Sequence, residues 1–430
     1  MRYLPQTNKA RAEMLEAIGV KSVDDLFRDI PAGAFVQGQA DLPPHKGEIE
    51  VERIMGAYAK ENHAASDGPF FLGGGCYNHH IPASVDHLVQ RGEFLTAYTP
   101  YQPEIAQGTL QAIFEFQTFI ARLTGQDIAN ASLYDGATSM AEAALMAMRV
   151  TGRNKVCLGN DINPQYLSVL RTYLHNNETA QSYRFSGEVQ DDTACLIVQS
   201  PDFFGTPHTY DTWRALCDES GALLIVVVTE IVSLGMLPAP ENADIVCGEG
   251  QSIGLPMSFG GPHLGFFACR EKFVRQMPGR LCGETVDAQG RRGYVLTLST
   301  REQHIRRAKA TSNICTNQGL CALAFTIHMS LLGEDGFHCL AALNHERACA
   351  LADALEDIKR VKVENECFFN EFTISITGVS DMDKLVSTLA QKGIVAGLPL
   401  EKSRLLVSAT ELTTDADIGA FCDALKEACP

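Results

Sequence analysis

Basic charge and long apolar runs are scarce in this chain. Its 430 residues include 35 lysines and arginines against 52 aspartates and glutamates, which leaves a formal net charge of −17. A surplus of negative charge this large repels the phosphates of nucleic acids. The apolar run at residues 222–228 has the length of a strand and is too short to span a bilayer. We therefore expect no nucleic-acid partner and no membrane partner.

Export signals and metal-binding patterns are also missing. Residues 1–20 contain no apolar run of signal-peptide length, so we expect a cytoplasmic protein. The 14 cysteines form no Cys-x-x-Cys pair, and none stands at zinc-finger spacing with histidines, so we expect no metal site. Most of them lie in apolar contexts, as Cys247 and Cys269 do, which favours reduced and buried thiols.

The pattern of elements changes twice along the chain. Residues 1–65 predict a helical N-terminal arm with short amphipathic helices at 8–18, 22–27 and 48–64. Residues 66–332 alternate helices with short apolar strands that show no polar alternation, which is typical of a parallel sheet covered on both faces. We expect a large α/β domain there and a small α+β domain at residues 333–430.

The predicted elements can be stated by range. In the large domain the expected strands are 127–133, 155–158, 193–199, 223–228, 245–247 and 265–269, with helices at 109–123 and 140–150. In the small domain the expected strands are 361–363, 371–376, 394–398 and 404–407, and the expected helices are 346–358, 381–391 and 414–428.

The first motif with chemical meaning is the turn between a strand and the helix predicted at 140–150. Free backbone N–H groups at a helix N-terminus, beside two hydroxyls, suit a phosphate group. The residues that would form this cup are Gly136, Ala137, Thr138 and Ser139. Ordinary helix capping, with Ser139 as the N-cap and Glu142 closing a capping box, explains the same pattern and is favoured by pattern alone.

The second motif is the polar, aromatic segment at residues 94–108. Its prolines restrict the backbone, and rigid loops of this kind line ligand pockets or subunit interfaces. A purely structural turn is an equally weighted alternative. The side chains that would contact a ligand or partner are Tyr98, Tyr101, Gln102 and Glu104.

The third motif is a basic segment at residues 301–309. At helical spacing Arg301, His304 and the pair Arg306 and Arg307 partly share one face. A solvated helix face is the default interpretation. In so acidic a chain, the same cluster is also a candidate to pair with carboxylates at an interface.

Five blocks of sequence, taken together and in order, resemble the P-protein of the glycine cleavage system in its bacterial subunit 1 form. They are FLGGGCYNHHIP (71–82), TAYTPYQPEIAQGTLQAIFEFQ (96–117), NASLYDGATSMAEAALMA (130–147), GEGQSIGLPMSFGGPHLGF (248–266) and LTLSTREQHIRRAKATSNICTN (296–317). The resemblance implies the aspartate-aminotransferase fold of type I pyridoxal-phosphate enzymes, with a mostly parallel sheet.

The sequence departs from that family at the cofactor lysine. In the family, the second subunit carries pyridoxal phosphate on a His-Lys dipeptide shortly before a Gly-Gly-Pro loop. Counting back from the loop at 260–262 places Gln251 near the matching position, and residues 244–262 contain no lysine. A glutamine amide cannot form an imine with an aldehyde. Glu230 is the candidate for the carboxylate that pairs with the pyridine nitrogen.

The resemblance implies a heteromeric enzyme in which this chain has no catalytic residue of its own. Subunit 2 would hold pyridoxal phosphate covalently, with two copies of each chain, and residues 136–139 would be a degenerate phosphate cup. The complex would decarboxylate glycine and transfer the aminomethyl group to the lipoyl arm of the H-protein. This chain would complete the active site and be inactive alone.

The segment at residues 94–108 gains a role from the same resemblance. Tyr98, Tyr101 and Gln102 would approach the partner's cofactor or glycine, whereas Glu104 would repel the glycine carboxylate. Two alternatives stay open. One is a stand-alone scaffold or regulatory protein with a degenerate aminotransferase fold, and the other is an active homodimeric transferase that uses an unexpected lysine.

Overall fold

The computed structural model describes residues 6–35, 41–95, 99–175, 177 and 180–429. The chain divides into two compact units, residues 1–63 and 64–430. The first unit contains helices α1 (Asn8–Ile18) and α2 (Glu48–Lys60). The helix predicted at 22–27 is a short 3₁₀ turn, Asp24–Phe27, and α2 ends four residues before the predicted position 64. None of the described residues of this unit is buried.

The second unit contains the remaining helices and all the strands of the described chain. Its helices are α3 (Ala83–Val89), α4 (Gly92–Leu95), α5 (Gln107–Thr124), α6 (Gly136–Thr151), α7 (Pro164–His175), α8 (Asp211–Ser220), α9 (Gln303–Arg306), α10 (Gly319–Glu356), α11 (Met382–Ala390) and α12 (Asp415–Ala428). Its strands are β1 (Ile128–Ala129), β2 (Lys155–Leu158), β3 (Gln181–Arg184), β4 (Thr193–Gln199), β5 (Leu223–Val228), β6 (Ile245–Glu249), β7 (Gly265–Cys269), β8 (Leu281–Val286), β9 (Arg292–Thr297), β10 (Val361–Val363), β11 (Glu371–Ile376), β12 (Leu398–Leu400) and β13 (Arg404–Ser408).

A seven-stranded sheet in the order β1-β7-β6-β5-β4-β2-β3 forms the centre of this unit. The pairs among β2 to β6 are parallel, and only the β6–β7 and β7–β1 pairs are antiparallel. Apolar residues cover both faces, because Leu224 and Val226 pack into one core while Ile225 and Val227 pack into another. Helices α5 and α10 contribute to the first core, and α6 and α7 to the second. The predicted α/β fold with a mostly parallel sheet is confirmed.

A second, antiparallel sheet has the order β10-β11-β13-β12. Its core includes residues of α11, α12 and the C-terminal part of α10. Helix α10 is interrupted at Gly333, whose φ of 63° and ψ of −171° are not helical. The proposed division into domains at 65/66 and 332/333 stays a prediction.

Several predicted boundaries are wrong. Helix α6 begins at Gly136 rather than at 140, and the strand predicted at 127–133 is reduced to β1. The strand predicted at 394–398 is β12, and the helix predicted at 346–358 is the last part of α10. The antiparallel hairpin β8–β9 has no counterpart in the prediction. In the part of the chain that the structure describes, no helix is long and apolar enough to cross a membrane.

Candidate functional site

Gln251 lies two residues after the end of β6 and is buried. Its side-chain Nε2 donates a hydrogen bond to the Leu255 carbonyl oxygen at 2.6 Å. Its Oε1 accepts from the Tyr77 backbone N–H at 3.4 Å and lies 3.5 Å from Cys76 Sγ. The amide is therefore held on both sides by hydrogen bonds and offers no amine nucleophile.

The carboxylate of Glu249, the last residue of β6, lies at the N-terminus of α6. Its Oε2 accepts a hydrogen bond from the Gly136 backbone N–H at 2.9 Å. Its Oε1 accepts from the backbone N–H groups of Gln251 at 3.0 Å and Leu264 at 2.7 Å. Burial raises the pKa of Glu249, while the hydrogen bonds from Leu264 and Gly136 act in the opposite direction. A side-chain carboxyl group of this protein thus accepts the Gly136 N–H, which is one of the donors that a phosphate cup would use.

Donors at Asp135, Thr138 and Ser139 form hydrogen bonds within the turn. Asp135 is the N-cap, and its side chain accepts from the Thr138 backbone N–H at 2.7 Å. The Thr138 hydroxyl accepts from the Asp135 N–H at 3.2 Å, which completes a capping box. The expected box of Ser139 and Glu142 is therefore wrong, and Ser139 Oγ donates to the Asp135 carbonyl oxygen instead. A Cβ on Gly136 would lie 2.1 Å from the Tyr166 hydroxyl, so tight packing requires this glycine.

Glu230 follows β5 and is bound to a buried histidine. His79 Nε2 lies 2.9 Å from Glu230 Oε2, and His79 Nδ1 lies 2.9 Å from Glu411 Oε2. Burial by itself would lower the pKa of His79, but the two carboxylates outweigh it and raise that pKa to about 10. Burial would likewise raise the pKa of Glu411, yet the hydrogen bond with His79 lowers it to about 2. His79 is therefore an imidazolium between two carboxylates.

A further buried carboxyl group, that of Glu371 at the start of β11, binds the segment before His79. It accepts from the Gly74 backbone N–H at 2.5 Å and from the Tyr77 hydroxyl at 2.9 Å. Burial raises the pKa of Glu371 to about 7, against the lowering effect of both hydrogen bonds. A Cβ on Gly73 would come within 2.2 Å of the Glu371 Oε1 atom, so the chain passes too close for any side chain there.

Covalently bound pyridoxal phosphate does not fit these contacts. The cofactor needs an amine for its aldehyde, a carboxylate for its ring nitrogen and free N–H donors for its phosphate. Gln251 supplies an amide, Glu230 is paired with His79, and the Gly136 N–H is bound to Glu249.

The aromatic loop is only partly described, because Tyr98 lies outside the described residues. Tyr101, Gln102 and Glu104 are exposed. The Tyr101 ring centroid lies 6.1 Å from that of His304, and the Arg280 guanidinium lies 5.4 Å from the Tyr101 centroid. The structure thus brings the aromatic loop and the basic segment together.

A cleft of about 480 Å³ lies beside this loop. Thr99 and Pro100 of the loop, Pro262 of the Gly-Gly-Pro turn, and residues 316–323 at the start of α10 contribute to its lining. Three segments that are separated in sequence therefore meet at one concave surface.

The basic segment is not a single helix. It forms two 3₁₀ turns around the four-residue α9, so its charged residues do not share a face. Arg301 is buried and donates to the carbonyl oxygens of Leu298, Met277 and Gly279, which makes it structural. His304, Arg306 and Arg307 are exposed.

The residues at the centre of the site were not found from the sequence. His79, Glu249, Glu371 and Glu411 come from distant segments, and only folding brings them together. The sequence did contain a signal for two of them, because His79 lies within the family-like block 71–82 and Glu249 within the family-like block 248–266. Within the described residues, no group of three or more histidine, cysteine, aspartate and glutamate side chains is placed to hold a metal ion.

Comparison with known proteins gives consistent matches. The family model "Glycine cleavage system P-protein" matches residues 1–425. The probable glycine dehydrogenase (decarboxylating) subunit 1 of Caulobacter vibrioides is 55% identical, over 99% of each chain. A crystal structure of glycine decarboxylase (P-protein) of the glycine cleavage system, in inhibitor-bound form, is 42% identical with a TM-score of 0.91 and covers 100% of both chains. The alanine–glyoxylate aminotransferase of Nostoc sp., 16% identical with a TM-score of 0.56 over 84% of this chain and 94% of that one, shares the fold.

Proposed function

The chain belongs to the family of the glycine cleavage system P-protein, and on that premise we propose that it is the cofactor-free subunit of a heteromeric glycine decarboxylase. The complex contains two copies of this chain and two of a second subunit, which holds pyridoxal phosphate covalently. It removes carbon dioxide from glycine and transfers the aminomethyl group to the lipoyl arm of the H-protein. The chain alone is inactive.

The observation that carries this proposal is the environment of Gln251. Its amide stands near the position of the cofactor lysine and is fixed by Leu255 and Tyr77. Pyridoxal phosphate supplies an electron sink for decarboxylation wherever it is bound. In this family member, the cofactor that supplies this chemistry has to be held by a lysine on another chain.

This chain contributes the walls of a shared pocket. The cleft beside Thr99, Pro100 and Pro262 is concave and partly apolar, as ligand pockets are. Tyr101 and Gln102, together with Tyr98, which lies outside the described residues, are the candidates to contact the partner's cofactor or the glycine carboxylate and to exclude water, whereas Glu104 would repel that carboxylate. His304, Arg306 and Arg307 pair with carboxylates of the partner.

The test is co-expression with a second subunit that carries the His-Lys dipeptide. We expect glycine–bicarbonate exchange from the co-purified complex and none from either chain alone. Borohydride reduction followed by peptide mapping should place the pyridoxyl group on a lysine of the partner. A pyridoxyl-lysine in this chain, or a 420 nm band from this chain alone, would favour the homodimeric transferase. Failure to associate with the partner would favour the scaffold.

A further inference from the structure

The turn before α6 still binds an anion, although the anion is part of the chain. Glu249 is 4% exposed, and each of its three hydrogen bonds is received from a backbone N–H group. Such bonds stabilise the ionised carboxylate. The positive end of the α6 dipole, at Gly136, adds to the same effect.

Glu249 also joins three segments that are distant from one another in sequence. Gly136 begins α6, Gln251 begins the loop that follows β6, and Leu264 ends that loop just before β7. One carboxylate therefore fixes both ends of the loop to the start of the helix. The loop presents Phe259, which is 74% exposed and has a positive φ of 51°.

We propose that the Glu249 carboxylate is an internal ligand of an intact anion site at the start of α6. Through its hydrogen bonds at this site it holds the 250–264 loop in place. The site is therefore not degenerate. It keeps its donors and is closed to external phosphate by an internal carboxylate. The inference concerns this chain alone and does not depend on the proposed enzyme complex.

Two substitutions separate an anion site from ordinary packing. Glu249→Ala removes the carboxylate and leaves a space with three unpaired N–H donors, which destabilises the fold. Formate, the smallest carboxylate, can enter that space and accept the same bonds. Glu249→Gln fills the space with a neutral amide, whose NH₂ group cannot accept a hydrogen bond from an N–H donor. The Glu249→Gln variant should be less stable than the wild type, and formate should not restore its stability.

The measurement is the thermal unfolding midpoint of the full chain in sodium formate against sodium chloride of equal ionic strength. We expect formate to raise the midpoint of Glu249→Ala by about 2 °C or more over chloride, with no such difference for the wild type or Glu249→Gln. If Glu249→Ala folds only in part, the same titration is followed as recovery of its native far-UV circular dichroism. Equal responses to formate and chloride in Glu249→Ala, or a formate response in Glu249→Gln, would overturn the proposal.

Discussion

At the scale of single residues, buried ionisable groups distinguish this chain from an ordinary α/β protein. His79 is held between Glu230 and Glu411, both at 2.9 Å, and all three side chains are almost completely removed from solvent. Breaking a buried ion pair by removing one partner costs about 3–5 kcal/mol, because the remaining charge loses its compensation. The cluster therefore fixes the segment around His79 against β5 and the second sheet.

The first prediction concerns the pH dependence of stability. The pKa of His79 is raised to about 10, above its ordinary value of 6.5, so its contribution is complete below pH 6.5 and is lost as the pH rises through about 10. We expect the free energy of unfolding to fall between pH 7 and pH 10 more steeply in the wild type than in His79→Asn. Between these two pH values, the wild type should lose about 1 kcal/mol or more of unfolding free energy beyond the loss in His79→Asn, as measured by urea denaturation at several pH values.

The matched control is the neighbouring residue His80, whose side chain is exposed. His80→Asn removes an exposed imidazole from the same segment and keeps the backbone N–H that donates to Glu411 Oε1 at 2.5 Å. The free energy of unfolding of His80→Asn should depend on pH as that of the wild type does. If His79→Asn and His80→Asn show the same slope as the wild type, His79 is not a buried imidazolium.

At the scale of elements, the aromatic loop supplies the second prediction. Tyr98→Phe and Tyr101→Phe remove a hydroxyl and keep the ring, so packing against His304 and Arg280 is preserved at Tyr101. If the loop lines the shared pocket, glycine–bicarbonate exchange by the assembled complex should fall at least about tenfold for one variant, or about 1.4 kcal/mol of transition-state stabilisation. Assembly should be unchanged by sedimentation.

Tyr173→Phe provides the control for this loop, since it changes a partly buried tyrosine of α7. That variant should keep full exchange activity. Full activity in both loop variants would show that the loop is structural, and its residues would no longer be site candidates.

Strands were easier to predict than the boundaries of helices, for a physical reason. β4 and β5 are buried on both faces, so their sequences TACLIVQ and LLIVVV carry an unbroken apolar signal. The hairpin β8–β9 is largely exposed toward its turn and has no such signal. Gly333 interrupts α10 with a backbone conformation that is essentially restricted to glycine. The interruption could not be predicted, because a glycine within an apolar helical sequence can also adopt the ordinary helical conformation.

The candidate site, like the fold, could be predicted from the sequence only where the signal is local. The sequence could locate Gln251 and the turn at 136–139, because a missing lysine and a strand–turn–helix junction are local features. It could not predict that Glu249 occupies that turn or that His79 binds Glu230, because those contacts depend on the registry of distant segments. Local patterns therefore point to candidate positions, and tertiary contacts decide which partners the side chains at those positions have.

At the scale of the whole molecule, the N-terminal unit has exposed apolar surface, and none of its described residues is buried. Met14 and Ile18 on α1, and Ile49, Met55 and Tyr58 on α2, are all exposed. Exposed apolar faces of amphipathic helices are typical of protein–protein interfaces. We expect this surface to pack on the second subunit in the proposed complex.

The last prediction follows from that surface. Deleting residues 1–45 removes α1 and should weaken association with the second subunit, because the apolar face of α1 no longer contributes to the interface. The double variant Met14→Ser, Ile18→Ser should weaken association in the same direction without shortening the chain. Lys9→Ala is the control, because Lys9 is highly exposed and pairs only loosely, at 3.9 Å, with Glu13 within α1. Analytical ultracentrifugation of the mixed subunits measures each dissociation constant. Unchanged association of the deletion variant would show that α1 lies outside the interface. If Lys9→Ala weakened association as much as the double variant does, charge rather than apolar contact would hold the arm in place.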